Sequence, residues 1–310
     1  GDGDVAAAAG APFAVGVGPD DLAARSGTPV GTTQHMGVMF RMANVDMDRC
    51  FGYLREHPDR FRVQPFALLG LDEAYESFRK GEMMTINVDV LGHGFQVYNT
   101  PIPGVFTFCC PSFEGSGLCA EDLTRCELAM AKEVHKRVLA MKQHVPGFEN
   151  ACLIDCPETG VRETRHIQGD YVLNIEDVLS SRAFPDTIGM GCHPIDIQPI
   201  PDSLRKHPLG HHWSFSIPYR CLVPKAVDNL LLAGRCISNT HEASGCTRPT
   251  VQCMVTGEAA GAAAALCVRD KVLPRDLNTD TLREQLSDQG VVLAAPDSPA
   301  RREEKDAHSG

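Results

Sequence analysis

One stretch constrains the fold of this chain more than any other: Asn229-Leu-Leu-Leu-Ala-Gly-Arg-Cys-Ile-Ser-Asn-Thr-His-Glu-Ala-Ser-Gly-Cys-Thr-Arg-Pro-Thr-Val-Gln-Cys-Met-Val-Thr-Gly-Glu-Ala-Ala-Gly261. Leu230 to Ala233 form an apolar run without polar alternation, the pattern of a strand covered on both faces. Gly234 ends the run, and a polar loop follows. Pro249 then stands where a first helical turn has no N–H to lose. Behind it, Gly257, Ala259, Ala260, Gly261 and the alanines at 262–265 describe a helix that lets a backbone or a ligand come close. The free N–H groups of its first turn form an anion-stabilising surface. The expectation is a central buried strand over 230–233 and a helix over 249–270 whose N-terminus faces an open crevice, where a cofactor can be held.

The rest of the chain reads as a series of shorter elements without internal repeat. An Ala-rich helical segment over 1–13 is stopped by Gly10 and Pro12, and 14–34 reads as loop. A strand is expected over 36–42, helices over 46–57 and 66–80, and paired strands over 85–91 and 94–98. The clearest helix runs over 121–143, where Leu123, Met130, Val134, Val138 and Met141 recur at helical spacing and Pro146-Gly147 closes the segment. Strand character returns at 152–156, 161–167 and 217–223, and a last helix covers 281–289. The Pro-, Arg- and Glu-containing stretch 295–310 reads as a disordered tail.

Composition excludes some functions. The 310 residues are 43% hydrophobic and 22% charged, ordinary for a folded enzyme. A formal net charge of −11 argues against a nucleic-acid partner, which needs a basic footprint. No apolar run approaches a membrane span, so no membrane partner is expected; the Ala-rich stretch around 259–266 reads as too short. The 13 cysteines include no Cys-x-x-Cys pair, and His211-His212 would point opposite ways on an extended segment, so no metal is expected. Reduced, mostly buried thiols fit a cytoplasmic protein.

Several blocks, in order, resemble one family. Gly234-Arg-x-Ile-Ser-x-x-His-x-Ala243, then Arg248, Cys253-Met and Gly257-x-Ala-Ala-Gly261, is similar to the C-terminal signature of FAD-dependent oxidoreductases, in a bacterial branch. Gly1-Asp-Gly-Asp-Val-Ala-Ala-x-Ala-Gly-Ala-Pro12, Pro146-Gly-Phe-Glu-Asn150, Val161-Arg-Glu-Thr-Arg-His-Ile167, Gly169-Asp-Tyr-Val-Leu173, Glu176-Asp-Val-Leu179 and Ile217-Pro-Tyr-Arg-x-Leu-Val-Pro-Lys225 continue the likeness over about 1–295. Gln198 departs from it, standing where the family usually has His. The resemblance implies an α/β protein: a partial FAD-binding, Rossmann-like domain from 1–15 and 224–293, with a mixed α+β substrate domain inserted over 30–220. The family's Gly-x-Gly-x-x-Gly turn is not found in the sequence. By resemblance, roughly the first third of a complete protein precedes Gly1, and any signal peptide would belong to that part. The reading is therefore a fragment of an enzyme that moves a hydride between flavin and a small organic substrate. The alternatives are a remnant chain with a scaffold role, and a hydrolase using Asp2, Asp4 and a His. No oligomeric state follows.

The candidate residues follow from chemistry and resemblance together. On spacing alone, Gly1-Asp2-Gly3-Asp4 is a turn with an Asp helix cap; the resemblance implies contact with FAD. It implies the same for Gly234 and Arg235, with Thr250 and Val251 in the helix's first turn. His241, whose pKa lies near working pH, is a candidate for proton exchange with a substrate hydroxyl. Arg248 is a candidate for holding a carboxylate or the charge of reduced flavin. In Arg162-Glu-Thr-Arg165-His166, four ionisable residues in five must place some on a buried or site-facing surface. Two readings stay open there: a catalytic Arg165 with a substrate-facing His166, or a Glu163–Arg ion pair. Tyr219 and Arg220 are further substrate-side candidates.

Overall fold

The structure, a computed structural model, describes residues 1–60, 70–82, 85–90, 93–197 and 214–295. Helices and strands intermix along the chain, as an α/β protein requires. Two compact units form, Gly1–Gln34 with Arg162–Gly310 and the inserted His35–Val161. The divisions fall at 34 and 161, so residues 162–220 sit with the chain ends rather than with the insertion. Each unit has its own apolar core.

The inserted unit is a five-stranded antiparallel sheet backed by helices. Its strands are β2 (Met36–Ala43), β3 (Thr85–Val90), β4 (His93–Asn99), β5 (Phe106–Phe113) and β6 (Cys152–Asp155), in the order β3-β4-β5-β2-β6. On β2, Phe40 and Met42 are buried while Met39 and Arg41 are exposed, the period-2 alternation of a one-sided sheet. Phe40 stacks on Phe108 at 5.2 Å, and Phe148 meets Phe108 edge-on at 5.9 Å. Removing such a buried ring costs about 3–5 kcal/mol. In α3 (Met47–Glu56), Asp46 caps the start by accepting from Arg49 N at 3.0 Å, and Met47, Cys50, Phe51 and Leu54 face inward at helical spacing. α4 spans Leu71–Arg79, and the expected start of that helix at 66–69 lies outside the described residues. α5 (Ala120–His144) buries Cys126, Met130, Val134, Val138 and Met141 along one stripe.

The other unit joins segments distant in sequence. α1 (Asp4–Ala8) leads to β1 (Phe13–Val15), which pairs antiparallel with β7 (Arg165–Ile167). α2 (Leu22–Arg25) interrupts the expected loop, and α6 (Ile175–Leu179) is capped by Asn174, whose Oδ1 accepts from Asp177 N at 2.9 Å. β8 (Thr187–Gly191) pairs with β9 (Phe215–Pro218). α7 (His241–Thr247), α8 (Thr250–Asp270) and α9 (Thr279–Asp288) follow. The core gathers Ile188, Phe215, Ile217, Ala259, Leu266 and Leu282.

Three expectations need correction. Residues 230–233 form no strand, and Leu230 and Leu231 are only half-buried. Among the described residues no neighbouring strand presents an edge to them; Leu232 N instead donates to Leu222 O at 2.8 Å. The polar loop after Gly234 contains α7, a helix that weak helix formers adopt because Thr240 caps it and every residue of it is buried. Finally, α8 has 21 residues, with an 18-residue window of mean hydropathy 1.4, long and apolar enough to cross a membrane by length and composition. Its buried side, including Gln252, Thr256, Ala259 and Leu266, packs in this unit, while Val251, Met254 and Val268 are exposed. The tail at 296–310 lies outside the described residues, as do Gln198 and the His211-His212 pair.

Candidate active site

The start of α7 places His241. Thr240 Oγ1 accepts from Ala243 N at 3.5 Å, which fixes the first turn. Thr240 N donates to Leu173 O, and Leu173 N donates to Ser238 O, so the approach to the helix is held from both sides. The helix stops at Thr247 because Pro249 has no N–H to return to the carbonyl of Gly245. His241 is 2% exposed.

Glu163 organises the centre. Its side chain is fully buried, and it accepts from His166 Nε2 at 2.6 Å, from His241 Nδ1 at 2.9 Å and from Gln34 N at 2.7 Å. Burial alone would raise the Glu163 pKa, but the hydrogen bonds and charges of His166 and His241 outweigh it and hold it down at about 2. Burial acts on His241 in the lowering direction; the Glu163 hydrogen bond and the charges of Glu163, Glu242 and Asp21 overcome it, so the imidazole is raised. Facing a carboxylate, Nδ1 of His241 carries the proton, which leaves Nε2 as the acceptor of the neutral ring. On the other side, His166 Nδ1 lies 2.5 Å from Asn239 Oδ1, and Asn239 Nδ2 donates to Thr247 Oγ1 at 2.7 Å.

This group borders a small open pocket of about 100 Å³. Gly16, Gly18 and Asp21 form one side, and His166, Ser238, Asn239, Thr240 and His241 the other. Ser238 Oγ is buried without a hydrogen-bond partner among the described residues. Glu242, the residue after His241, is wholly buried, with Oε1 accepting from Ala23 N at 2.9 Å. Burial first, and then the charge and hydrogen bond of Asp21, push its carboxyl up to about 7, against the pull of the Ala23 N–H.

The family model for FAD dependent oxidoreductases matches residues 1–286. The chain belongs to that family. Its cofactor is FAD. No curated protein and no solved structure matches the chain.

The residues expected on the FAD side, joined by Arg165, which was expected to be catalytic, fit an anionic ligand by their donor chemistry. Arg235 pairs with Asp2, and Arg165 donates to Asp4 Oδ1 at 2.5 Å and to Asp2 O at 3.1 Å, so two guanidinium groups converge on residues 1–4. Arg165 Nε is buried without an acceptor among the described residues, a donor left over for a ligand. Asp4 does not cap α1: Gly3 takes the capping position at φ +72°, and a Cβ there would lie 3.0 Å from Ile167 Cδ1. Gly234, also at positive φ, donates its N–H to Thr256 Oγ1 at 3.0 Å. Thr250 and Val251 stand exposed at the start of α8.

The other candidates make their hydrogen bonds elsewhere, although Arg248 still feels the charge of Glu163. Arg248 donates to Asp196 Oδ2 at 2.6 Å and to Asp196 O at 2.7 Å; burial lowers its pKa against the attraction of Asp196. Tyr219 is buried, its hydroxyl donating to Pro274 O at 2.9 Å. Arg220 grips Asp186 through Nε at 2.9 Å and stacks over Tyr171. The glutamate expected to pair with an arginine, Glu163, joins two histidines instead. Glu163, Asn239, Asp21 and Glu242 were not singled out from sequence as site residues. The spacing of Glu163 and His166, on a segment too rich in ionisable groups to be all exposed, was the available signal.

Proposed function

We propose that the protein is an FAD-dependent oxidoreductase that moves a hydride between the flavin and a small organic substrate, with His241 handling the substrate proton. The observation that carries this reading is one buried carboxylate, Glu163, bonded to both His241 and His166 beside a pocket. When bound, the isoalloxazine of FAD supplies the hydride chemistry. The chain's part is orientation and proton management. Glu163 fixes the His241 tautomer, so that Nε2 accepts the proton of a substrate hydroxyl and the imidazolium is stabilised where it forms. His166 and Gln34 N hold the Glu163 carboxylate in place. Arg165, Arg235, Gly1 to Asp4, Gly234 and the first turn of α8 at Thr250 and Val251 form the cofactor side. The pocket's size suits a small hydroxyl-bearing substrate, and Ser238 offers it a hydrogen bond. The free thiols among the described cysteines support a cytoplasmic setting, and the net charge of −11 supports a partner other than nucleic acid.

The test is rapid mixing of the FAD-loaded protein with a panel of small alcohols and hydroxy acids, reading loss of the flavin's visible absorbance. At equal flavin content, His241→Gln should slow reduction by about 10²–10⁴-fold, the range for a general base. Reduction at the wild-type rate would remove His241 from the chemistry.

A further inference from the structure

The side chains that line the pocket define what it can hold. Among the described lining residues there is neither lysine nor arginine, and Asp21 is the one carboxylate. Arg165, Arg220 and Arg248 give their guanidinium donors to Asp4, Asp186 and Asp196 instead. His166 turns Nε2 to Glu163 at 2.6 Å and Nδ1 to Asn239 Oδ1 at 2.5 Å, so both ring nitrogens are engaged. Three buried side chains of the lining can serve a ligand. His241 offers Nε2 as an acceptor, since its Nδ1 faces Glu163. Ser238, 1% exposed, has an Oγ without a partner among the described residues. Asp21, 9% exposed, is anchored through Oδ2 by Gly18 N at 2.6 Å. The segment 16–34 that carries it is tied down by Gln34 N on Glu163 Oε2 at 2.7 Å and by Ala23 N on Glu242 Oε1 at 2.9 Å.

A substrate carboxylate in this pocket would meet a second carboxylate and an imidazole acceptor, with no cation among the described lining residues. Like charges at close range in a site shielded from water repel, and a desolvated charge without a partner is costly. A hydroxyl or an ammonium in the same place would donate a charge-assisted hydrogen bond to Asp21. We propose that the pocket takes a small substrate whose reacting CH–OH carries a neighbouring hydroxyl or ammonium group, that Asp21 receives this second group, and that a carboxylate in its place is refused. The proposal rests on the pocket being the reaction site, and it names the substrate class of that reaction: diols and amino alcohols rather than hydroxy acids. Asp21 is then a specificity-determining residue, setting which molecule binds while His241 handles the proton.

Saturation-transfer NMR titrations of the FAD-loaded protein at neutral pH test the preference without reference to turnover. Three probes share a methyl-bearing CH–OH end and differ in the neighbouring group: propane-1,2-diol, 1-aminopropan-2-ol and 2-hydroxypropanoate. In the wild type the diol and the amino alcohol should each bind about tenfold or more tightly than the hydroxy acid, the difference one charge-assisted hydrogen bond makes. The order between those two tells whether the second group is a hydroxyl or an ammonium, and either order fits. Asp21→Asn, whose amide oxygen still accepts from Gly18 N, should weaken the amino alcohol by about tenfold and strengthen the hydroxy acid. A hydroxy acid bound as tightly as the diol in the wild type, a ranking unchanged by Asp21→Asn, or binding of none of the three would each overturn the proposal. The expected ranking without flavin reduction by any probe would uphold the binding preference and count against the hydride-transfer reading of the site instead.

Discussion

Glu163 and His241 lie 78 positions apart, yet His241 Nδ1 sits 2.9 Å from one Glu163 oxygen and 3.0 Å from the other. The same carboxylate meets His166 Nε2 at 2.6 Å. Two sequence blocks that resemble a flavoenzyme family for separate reasons thus meet at one buried charge. That meeting turns His241 from a solitary histidine into an oriented base.

Acid stability should report on Glu163. Its folded pKa, about 2, is depressed below its ordinary value. The stability it contributes is therefore present above about pH 4.5 and lost as pH falls toward about 2. Integrated over the shift, this amounts to about 3 kcal/mol. Glu242 has the opposite sign: with its pKa raised, its contribution is present below about pH 4.5 and lost as pH rises to about 7. Urea midpoints across this range should lose their acid-side decline in Glu163→Gln and their neutral-side decline in Glu242→Gln. A Glu163→Gln curve parallel to wild type would show that the carboxylate is not held by the histidines.

Arg248 and Asp196 should behave as a structural pair. The Arg248 side chain is 12% exposed and donates to Asp196 twice. Arg248→Ala is expected to cost about 1–3 kcal/mol, because it removes two charge-assisted hydrogen bonds to a carboxylate that water can still reach. A double-mutant cycle with Asp196→Ala should give a coupling of about 1–3 kcal/mol. Additive losses would return Arg248 to the ligand side of the site.

Gly16 should resist replacement. Its φ is +63°, and a Cβ would lie 2.4 Å from Thr32 O. Both the left-handed backbone and the contact oppose alanine, so Gly16→Ala should destabilise by more than about 1 kcal/mol. Because Gly16 lines the pocket, the variant should also loosen segment 16–34 in hydrogen exchange. Wild-type stability would mean that the turn at Gly16 is not the one described.

Elements whose own sequence carries the signal were legible. β2, α3, α5, α8 and α9 announce themselves through alternation, an Asp or Asn cap, or a helical stripe. β5 was not read, because Cys109-Cys110-Pro111 breaks the look of a strand that its pairing with β2 nevertheless stabilises. Residues 230–233 have the composition of a buried strand, but a strand needs a partner edge, and local composition does not supply one. In the site, His241 and His166 were legible as titratable groups in unusual surroundings. Their meeting at Glu163 was not, because the antiparallel pairing of β1 with β7 and the capping of α7 by Thr240 are tertiary facts. Asp21 and Glu242 were hidden for the same reason: each looks like a surface acid until segment 16–34 packs against α7.

The most direct test of the account is the pH dependence of flavin reduction in the FAD-loaded protein, compared between wild type and Glu163→Gln. Reduction requires neutral His241, so the rate should rise with pH through the His241 pKa. That pKa is raised above its ordinary value chiefly through the hydrogen bond and charge of Glu163, which outweigh burial. The account predicts that Glu163→Gln moves the rise to lower pH, with a smaller plateau because the imidazolium has lost its partner. A profile with the same midpoint in both proteins would contradict it.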